Sequence, residues 1–192
     1  MEKQADTAQQ IIEVAEQLIF DRGYNAFSYA DISEQIGIRK ASIHYHFPSK
    51  SDLVRSVVAY YRARINGQLA GLDQAVTDPA QKLVQYVEYT GLSMQERPRI
   101  CLCALLAAEF PTLPEQVKAE VQGYFRDQQQ WFTKVIAAGR AMGEFRVKGP
   151  VEIEAQLFVA SIQGAMLSAR TYGDVAHFFA IAHQMVADMQ AA

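Results

Sequence analysis

The sequence predicts an all-α protein, and three observations carry that reading. Apolar residues recur at three- and four-residue steps along most of the chain, no run alternates apolar and polar residues as a strand would, and glycine and proline punctuate segments of helix length. Half of the 192 residues are apolar, enough for one large or two small cores without disulfide or metal support.

Taken in order, Ile11, Ile12, Ala15, Leu18 and Ile19 form one face of a first helix. It ends at Gly23, which suits the left-handed conformation that closes helices. Ser28 caps a short helix from Tyr29 to Gln35, with Asp31 in its first turn. Gly37 marks the next break. A third short helix runs from about Lys40 to Phe47 and stops before Pro48, because the residue preceding a proline is pushed out of the helical region. Ser49 caps a fourth helix whose apolar face is Leu53, Val54, Val57, Val58 and Tyr61.

After Arg64 the sequence changes character. Gly67, Gly71 and the stretch from Thr77 to Ala80 loosen the chain, which places a domain boundary between residues 1–64 and 65–192. Asp78 followed by Pro79 is a cap and a first-turn proline, starting a helix through about Met94. Pro98, Pro111 and Pro114 bracket a short helix containing Cys101 to Phe110, and a long helix follows from Glu115 to about Met142. Gly149 and Pro150 introduce Val151 to Tyr172, and Gly173 separates that segment from a last helix, Asp174 to Met189. There is no internal repeat and no low-complexity tract.

The apolar stretches from Cys101 to Phe110 and from Leu157 to Leu167 are too short or too interrupted to cross a bilayer, and the polar N-terminus opens a helix rather than a signal peptide. The expected location is the cytoplasm, with no membrane partner and with Cys101 and Cys103 as reduced thiols. The net charge of −3 by itself argues against a nucleic-acid partner, but its distribution weakens the objection. Residues 1–64 carry eight basic and eight acidic side chains, so the whole deficit lies in residues 65–192. From Arg39 to Arg55, the four cations Arg39, Lys40, Lys50 and Arg55 face Asp52 alone, and His44 and His46 can add charge below neutral pH.

Two short helices joined by a glycine-containing turn and followed by an abrupt stop form the helix-turn-helix pattern. Its second helix must enter a major groove about 12 Å wide, so it is short and its exposed face carries hydrogen-bonding groups. Ile32, Ile36, Ile38 and Ile43 can knit the two helices together, leaving Arg39, Lys40, Ser42, His44, Tyr45 and His46 toward DNA, with Ser28 at the start of the first helix as a further contact. Tyr45 and Lys50 suit the flanking phosphates. The alternative for this segment is a solvated polar face on a small helical bundle that serves as an interaction module without DNA binding.

The run from about Ile11 to Leu53, above all DISEQIGIRKASIHYHFPSKSDL, closely resembles the DNA-binding region of the TetR/AcrR repressors. The matching residues are Gly23 and Tyr24 after the first helix, Ala30 and Ile32 in the second, Gly37, and Tyr45, Phe47, Ser49, Lys50 and Leu53 around the third and fourth. His44-Tyr45-His46 departs mildly from the usual tyrosine-bearing variants and bears on base preference. The resemblance implies an N-terminal three-helix DNA-binding domain followed by a helical ligand-binding and dimerisation domain. It also implies a transcriptional repressor, not an enzyme, that binds a near-palindromic double-stranded operator as a homodimer. A small-molecule effector would release it; the identity of that effector does not carry over.

Two features of residues 65–192 suit those expectations. Leu157 to Ala169 is apolar almost all round, with Phe158, Ile162 and Met166 on one stripe and Ala160, Gly164 and Ser168 on another, so the helix is expected to be buried on two sides. The second burial is read as a partner subunit, in a four-helix bundle with Phe178, Ile181 and Met185; the alternative is one monomer core. Tyr86, Tyr89, Phe110, Tyr124 and Trp131, with Phe132 nearby, can line a pocket for an apolar or aromatic effector or can simply be core.

Cys101 and Cys103 admit two further readings. A thiol sensor of electrophiles would need a cysteine activated by Arg97 or Arg99, and a cysteine-dependent enzyme would need a histidine partner. A metal site is not expected, since zinc takes four ligands and neither a second cysteine pair nor a close histidine pair accompanies these two. His177 and His183 read as surface or interface residues. No glycine-rich phosphate loop or nucleophile elbow supports an enzyme, and no cofactor is expected.

Overall fold

The structure, a computed structural model, describes residues 2–96, 99–146 and 149–190, with the side chains of residues 2–6 and of Glu96 outside that description. Its α-helices are α1 (Glu2–Arg22), α2 (Tyr29–Ile36), α3 (Lys40–His46), α4 (Lys50–Ala75), α5 (Pro79–Glu96), α6 (Leu102–Ala108), α7 (Glu115–Met142), α8 (Val151–Tyr172) and α9 (Ala176–Met189). A 3₁₀ turn at Phe110–Thr112 joins α6 to α7. Among the described residues the single β feature is an isolated antiparallel bridge between Phe145 and Gln190.

The chain forms two compact units. The first comprises the chain through Arg64 together with Leu102–Tyr124, and the second comprises Ile65–Cys101 and the chain from Phe125 onward. A split after Arg64 would assign Leu102–Tyr124 to the second domain; in the structure α6 and the start of α7 pack with the N-terminal helices. The loosening expected at Gly67 and Gly71 does not occur, because α4 continues to Ala75. Two interior glycines cost about 1 kcal/mol each relative to alanine. Burial of Leu69 and the hydrogen bonds Asn66 Nδ2 to Asp127 (2.6 Å) and Trp131 Nε1 to Asp73 (3.0 Å) offset that cost.

In the first unit, the sequence face Ile11, Ala15, Leu18 and Ile19 is buried, as are Ile32, Ile43, Leu53, Val54, Val57 and Val58, and α1 packs on α2, α3 and α6. Leu102, Leu106, Val117 and Val121 complete this core. Each fully buried aliphatic side chain contributes about 1.5–3 kcal/mol of transfer free energy. Gly37 closes α2 with φ +76°, a left-handed geometry in which a side chain is strained, and its N–H donates to the Ser33 carbonyl.

In the second unit, α9 packs on α8 and α5. Asp78 accepts from the Gln81 N–H at 2.7 Å, the cap that starts α5 at Pro79. The core is built from Leu83, Val87, Phe132, Ile136, Phe158, Ile162, Phe178 and Ala182. No helix among the described residues is long and apolar enough to cross a membrane.

Candidate nucleic-acid interface and effector region

The α2–α3 pair is held by contacts that leave one face of α3 outside. Ser28 caps α2 reciprocally: its hydroxyl accepts from the Ala30 N–H (3.2 Å), while the Asp31 carboxylate accepts from the Ser28 N–H and hydroxyl (both 2.8 Å). Across the Gly37 turn, the Ser33 hydroxyl donates to the Ile38 carbonyl at 2.6 Å. Ile32 and Ile43 are fully buried between the helices, and Ile36 and Ile38 are half-buried. The buried Tyr29 hydroxyl donates to the Phe47 carbonyl at 2.8 Å, tying α2 to the end of α3, and the His44 ring packs edge-on against Tyr29 at 4.7 Å. Burial, with a smaller contribution from the Asp52 charge, pushes the Tyr29 phenol up to about 12, so it remains a donor at neutral pH.

With Ile43 inward, Arg39, Lys40, Ser42, His44 and Tyr45 are exposed, Tyr45 at 71 %, while His46 is half-buried. Arg39 is the N-cap of α3 and the others lie on it, a short surface helix with no acidic residue in its first turn. That is a donor-rich face suited to base edges and phosphates. Ser28 lies apart from it, its hydroxyl engaged in the α2 cap. Lys50 has a role the sequence did not suggest. Its ammonium donates to the Phe27 carbonyl and lies over the rings of Phe27 (4.2 Å) and Tyr24 (4.8 Å). Half-burial lowers its pKa, against the opposing pull of Glu109 and Asp31.

Glu109, at the end of α6, also escaped the sequence reading. Its carboxylate accepts from the backbone N–H groups of Tyr24 (2.8 Å) and Asn25 (3.1 Å) in the turn after α1, and it occupies the space a Cβ at Gly23 would need. From α7, the Gln116 amide donates to the Ser51 hydroxyl and to Asp52 (3.1 Å) in the first turn of α4, and Glu120 pairs with Arg62 at 3.2 Å. Sequence spacing carries no signal for partners more than fifty residues apart. By contrast, the two reciprocal caps, Ser28 with Asp31 and Ser49 with Asp52, are legible as serine followed three residues later by aspartate.

The five residues expected around an effector fall in both units. Tyr86 and Trp131 belong to an aromatic cluster in the second unit, with Phe132 4.9 Å from Tyr86, 5.0 Å from Trp131 and 4.5 Å from Phe158. Phe110 and Tyr124 belong to the first unit, where Tyr124 packs against Tyr61 at 5.7 Å and Phe110 lies under the Lys118 ammonium. Tyr89 is exposed, and its hydroxyl accepts from the Gln68 amide. The separation arises because α7 contributes to both units, so aromatic residues on one helix enter different cores. Trp131 also borders a cavity of about 250 Å³ lined with Asn66, Leu69, Asp73, Asp127 and Lys134.

The residues expected at a subunit interface divide as well. Phe158, Ile162, Met166 and Phe178 are buried in their own protomer, because the large stripe of α8 turns inward onto the aromatic cluster and α9. The opposite stripe of α8 is exposed: Ile153, Leu157, Ala160, Gly164 and Leu167 lie at three- and four-residue steps. Leu157 and Leu167 each keep more than half their surface, and Ile181 of α9 is also exposed. Leu157, Ile181 and the half-buried Met185 line a groove of about 760 Å³ between α8 and α9.

Cys101 and Cys103 are both buried and fall in different units. A thiol sensor needs access for its reagent. Arg97 lies outside the described residues, and His177 and His183 are exposed, His183 paired with Glu88 at 2.8 Å. No group of three or more His, Cys, Asp or Glu among the described residues could hold a metal ion.

Comparison with known proteins gives matches over both parts of the chain. Residues 11–57 match the bacterial regulatory proteins of the tetR family, and residues 79–185 match the tetracyclin repressor-like C-terminal domain. A TetR-family transcriptional regulator from Agrobacterium tumefaciens is 43 % identical, covers 98 % of this chain and 100 % of its own, and superposes with a TM-score of 0.95. A TetR transcriptional regulator from Legionella pneumophila is 27 % identical over 94 % of this chain and 96 % of its own, with a TM-score of 0.85. The HTH-type transcriptional repressor DhaR of Mycobacterium sp. (strain GP1) is 25 % identical over 83 % of this chain and 80 % of its length.

Proposed function

Because this chain belongs to the TetR family of bacterial transcriptional regulators, we propose that it is a ligand-responsive cytoplasmic repressor, binding a near-palindromic operator as a homodimer and leaving it when a small molecule occupies the second unit. The observation that carries the reading is the outward face of α3, where Arg39, Lys40, Ser42, His44 and Tyr45 stand exposed on a helix anchored by buried Ile43 and by the Tyr29–Phe47 hydrogen bond. Arg39, Lys40 and Ser42 read bases, and Tyr45 contacts phosphate. Lys50 retains donors for a phosphate beyond the one given to Phe27, so it both positions the turn and adds charge.

A second copy covers the exposed stripe of α8 and the groove beside α9, with Leu157, Gly164, Leu167 and Ile181 at its centre. An apolar surface of this kind on two helices is what a four-helix dimer interface requires. Two-fold symmetry then sets two α3 helices about 34–36 Å apart on one face of the duplex. Effector occupancy acts through conformations of differing operator affinity, with a coupling of about 1–3 kcal/mol in typical systems.

The test is selection of duplex fragments from the source organism's DNA by the purified protein, followed by titration at several salt concentrations. Recovery of near-palindromic sites whose affinity falls steeply with salt is expected. Enrichment of no sequence, together with salt-insensitive binding, would contradict the reading.

A further inference from the structure

Gln128 is 1 % exposed, and neither its amide oxygen nor its amide nitrogen has a hydrogen-bond partner. Such a group is expensive to bury, at about 1–3 kcal/mol for an unsatisfied polar atom, and native interiors rarely keep one without a use. Gln128 stands on α7 one turn before Trp131 and Phe132, the spacing that places side chains on a common helix face. Those two rings build the aromatic cluster with Tyr86 and Phe158. Gln163 of α8, little more than one turn past Phe158, has a second buried amide oxygen without a partner. The residues one turn on along that face of α7, Trp131 and Phe132, are aromatic, so what completes this amide meets flat apolar surface. The partner that completes this amide must therefore combine flat apolar surface with its own donor and acceptor.

The charge balance narrows the class. Among the described residues of the second unit, Gln128 is the polar side chain buried as a whole and no charged one is; the buried carboxylate oxygen of Glu144, also without a partner, lies sixteen residues along the chain from Gln128. Burial also pushes the Tyr86 phenol far up, so it stays neutral. An ionised occupant would leave its charge unpaired in this interior, which is prohibitive.

Resting on the effector reading above, we propose that the effector of the second unit is a small neutral aromatic molecule bearing a hydrogen-bond donor and acceptor, as a carboxamide does, and that Gln128 is the residue that reads those groups beside Tyr86, Trp131, Phe132 and Phe158. Trp131 belongs both to the cluster and to the wall of the 250 Å³ cavity.

The experiment titrates the full-length protein with benzamide, toluene and benzoate, three probes of one shape differing in polar group, using the fluorescence of the sole tryptophan, Trp131. Benzamide is expected to bind at least about tenfold more tightly than the other two. In Gln128→Leu the preference should vanish or invert toward toluene, and the unliganded variant should melt no lower than the parent, because it loses an unsatisfied amide. Equal binding of benzamide and toluene by the parent, no binding of benzamide, or retention of the benzamide preference in Gln128→Leu would each overturn the proposal. A parallel arm separates this from the effector reading: an organic extract of the source organism's culture is tested for release of the selected operator. Release by the extract with no Gln128-dependent preference sinks the assignment of Gln128 alone, whereas no release by extract or probe sinks both.

Discussion

In the first unit polar side chains are joined to one another: the carboxylate of Glu109 holds two backbone N–H groups of the turn after α1, Gln116 holds the start of α4, Glu16 pairs with Arg64 at 2.7 Å, and two serine–aspartate caps close on themselves. In the second unit the amide of Gln128 and the amide oxygen of Gln163 are buried with no partner, beside a cluster of aromatic rings. On the proposed function this difference is a division of work between a reading head and a sensing body. A reading head must present Arg39, Lys40 and Ser42 in one geometry, and a fully satisfied polar network supplies rigidity. A sensing body must gain free energy when something enters, and unsatisfied polar groups in an apolar interior supply that gain.

The largest expected effect concerns the exposed stripe of α8. Gly164→Arg should leave the protomer folded, since a Cβ there meets nothing within 4 Å and the position is exposed, yet it sets a charge in the centre of the proposed dimer interface at a cost of several kcal/mol. Light scattering should show monomers and operator affinity should collapse; a Gly164→Arg dimer would place the interface elsewhere. Next, Ile43→Ala should destabilise the first unit by about 2–5 kcal/mol in urea unfolding, as for other buried aliphatic truncations. An effect below about 1 kcal/mol would mean that α3 is not held by its core contact.

Glu109→Gln sharpens the comparison. One carboxylate oxygen becomes an amide donor facing backbone N–H groups, so a loss of about 1–3 kcal/mol is expected, with weaker operator binding. Unchanged stability would show that the polar network of the head is ornamental. Low pH probes the same network. Hydrogen bonds from Ser28 hold Asp31 below the usual carboxylate range, and those from Ser49 hold Asp52 there. Because the folded pKa values are depressed, the stability they confer is present above the unfolded value of about 4 and is lost as pH falls through the lower folded values. Urea midpoints should hold steady from neutrality to about pH 4 and then decline, and Asp31→Asn should flatten the decline.

The smallest effect is at Lys50. Lys50→Ala should lower the salt slope of operator binding by about one without changing base preference, and should also reduce stability modestly through loss of the Phe27 contact. A changed base preference would assign Lys50 to reading rather than positioning.

Much of the head was legible because its signals are local. Ser28, Gly37, Pro48 and Ser49 bound three helices in a span where spacing alone specifies the turns, and the face of α3 follows from Ile43. What was hidden lies at long range. Glu109 and Gln116 reach the head from residues that sequence order assigns to another domain, and Phe110 and Tyr124 went with them. On α8 the periodicity revealed two apolar stripes but not which one faces inward; in the structure the stripe of Phe158, Ile162 and Met166 is buried, and the stripe of Ala160 and Gly164, which also carries Leu157 and Leu167, remains outside. Gln128 gives no signal in sequence, since a glutamine on a long polar helix is ordinarily at the surface.

On the proposed function, occupancy of the second unit and DNA binding by the first oppose each other. The direct measurement is Trp131 fluorescence titration of an operator-releasing compound, taken with and without saturating operator. Linkage requires operator to weaken the compound's binding by the same factor by which the compound weakens operator binding, about five- to 150-fold for typical couplings. Equal affinities in the two titrations would mean that the compound's site and the operator site are uncoupled, against the proposed mechanism.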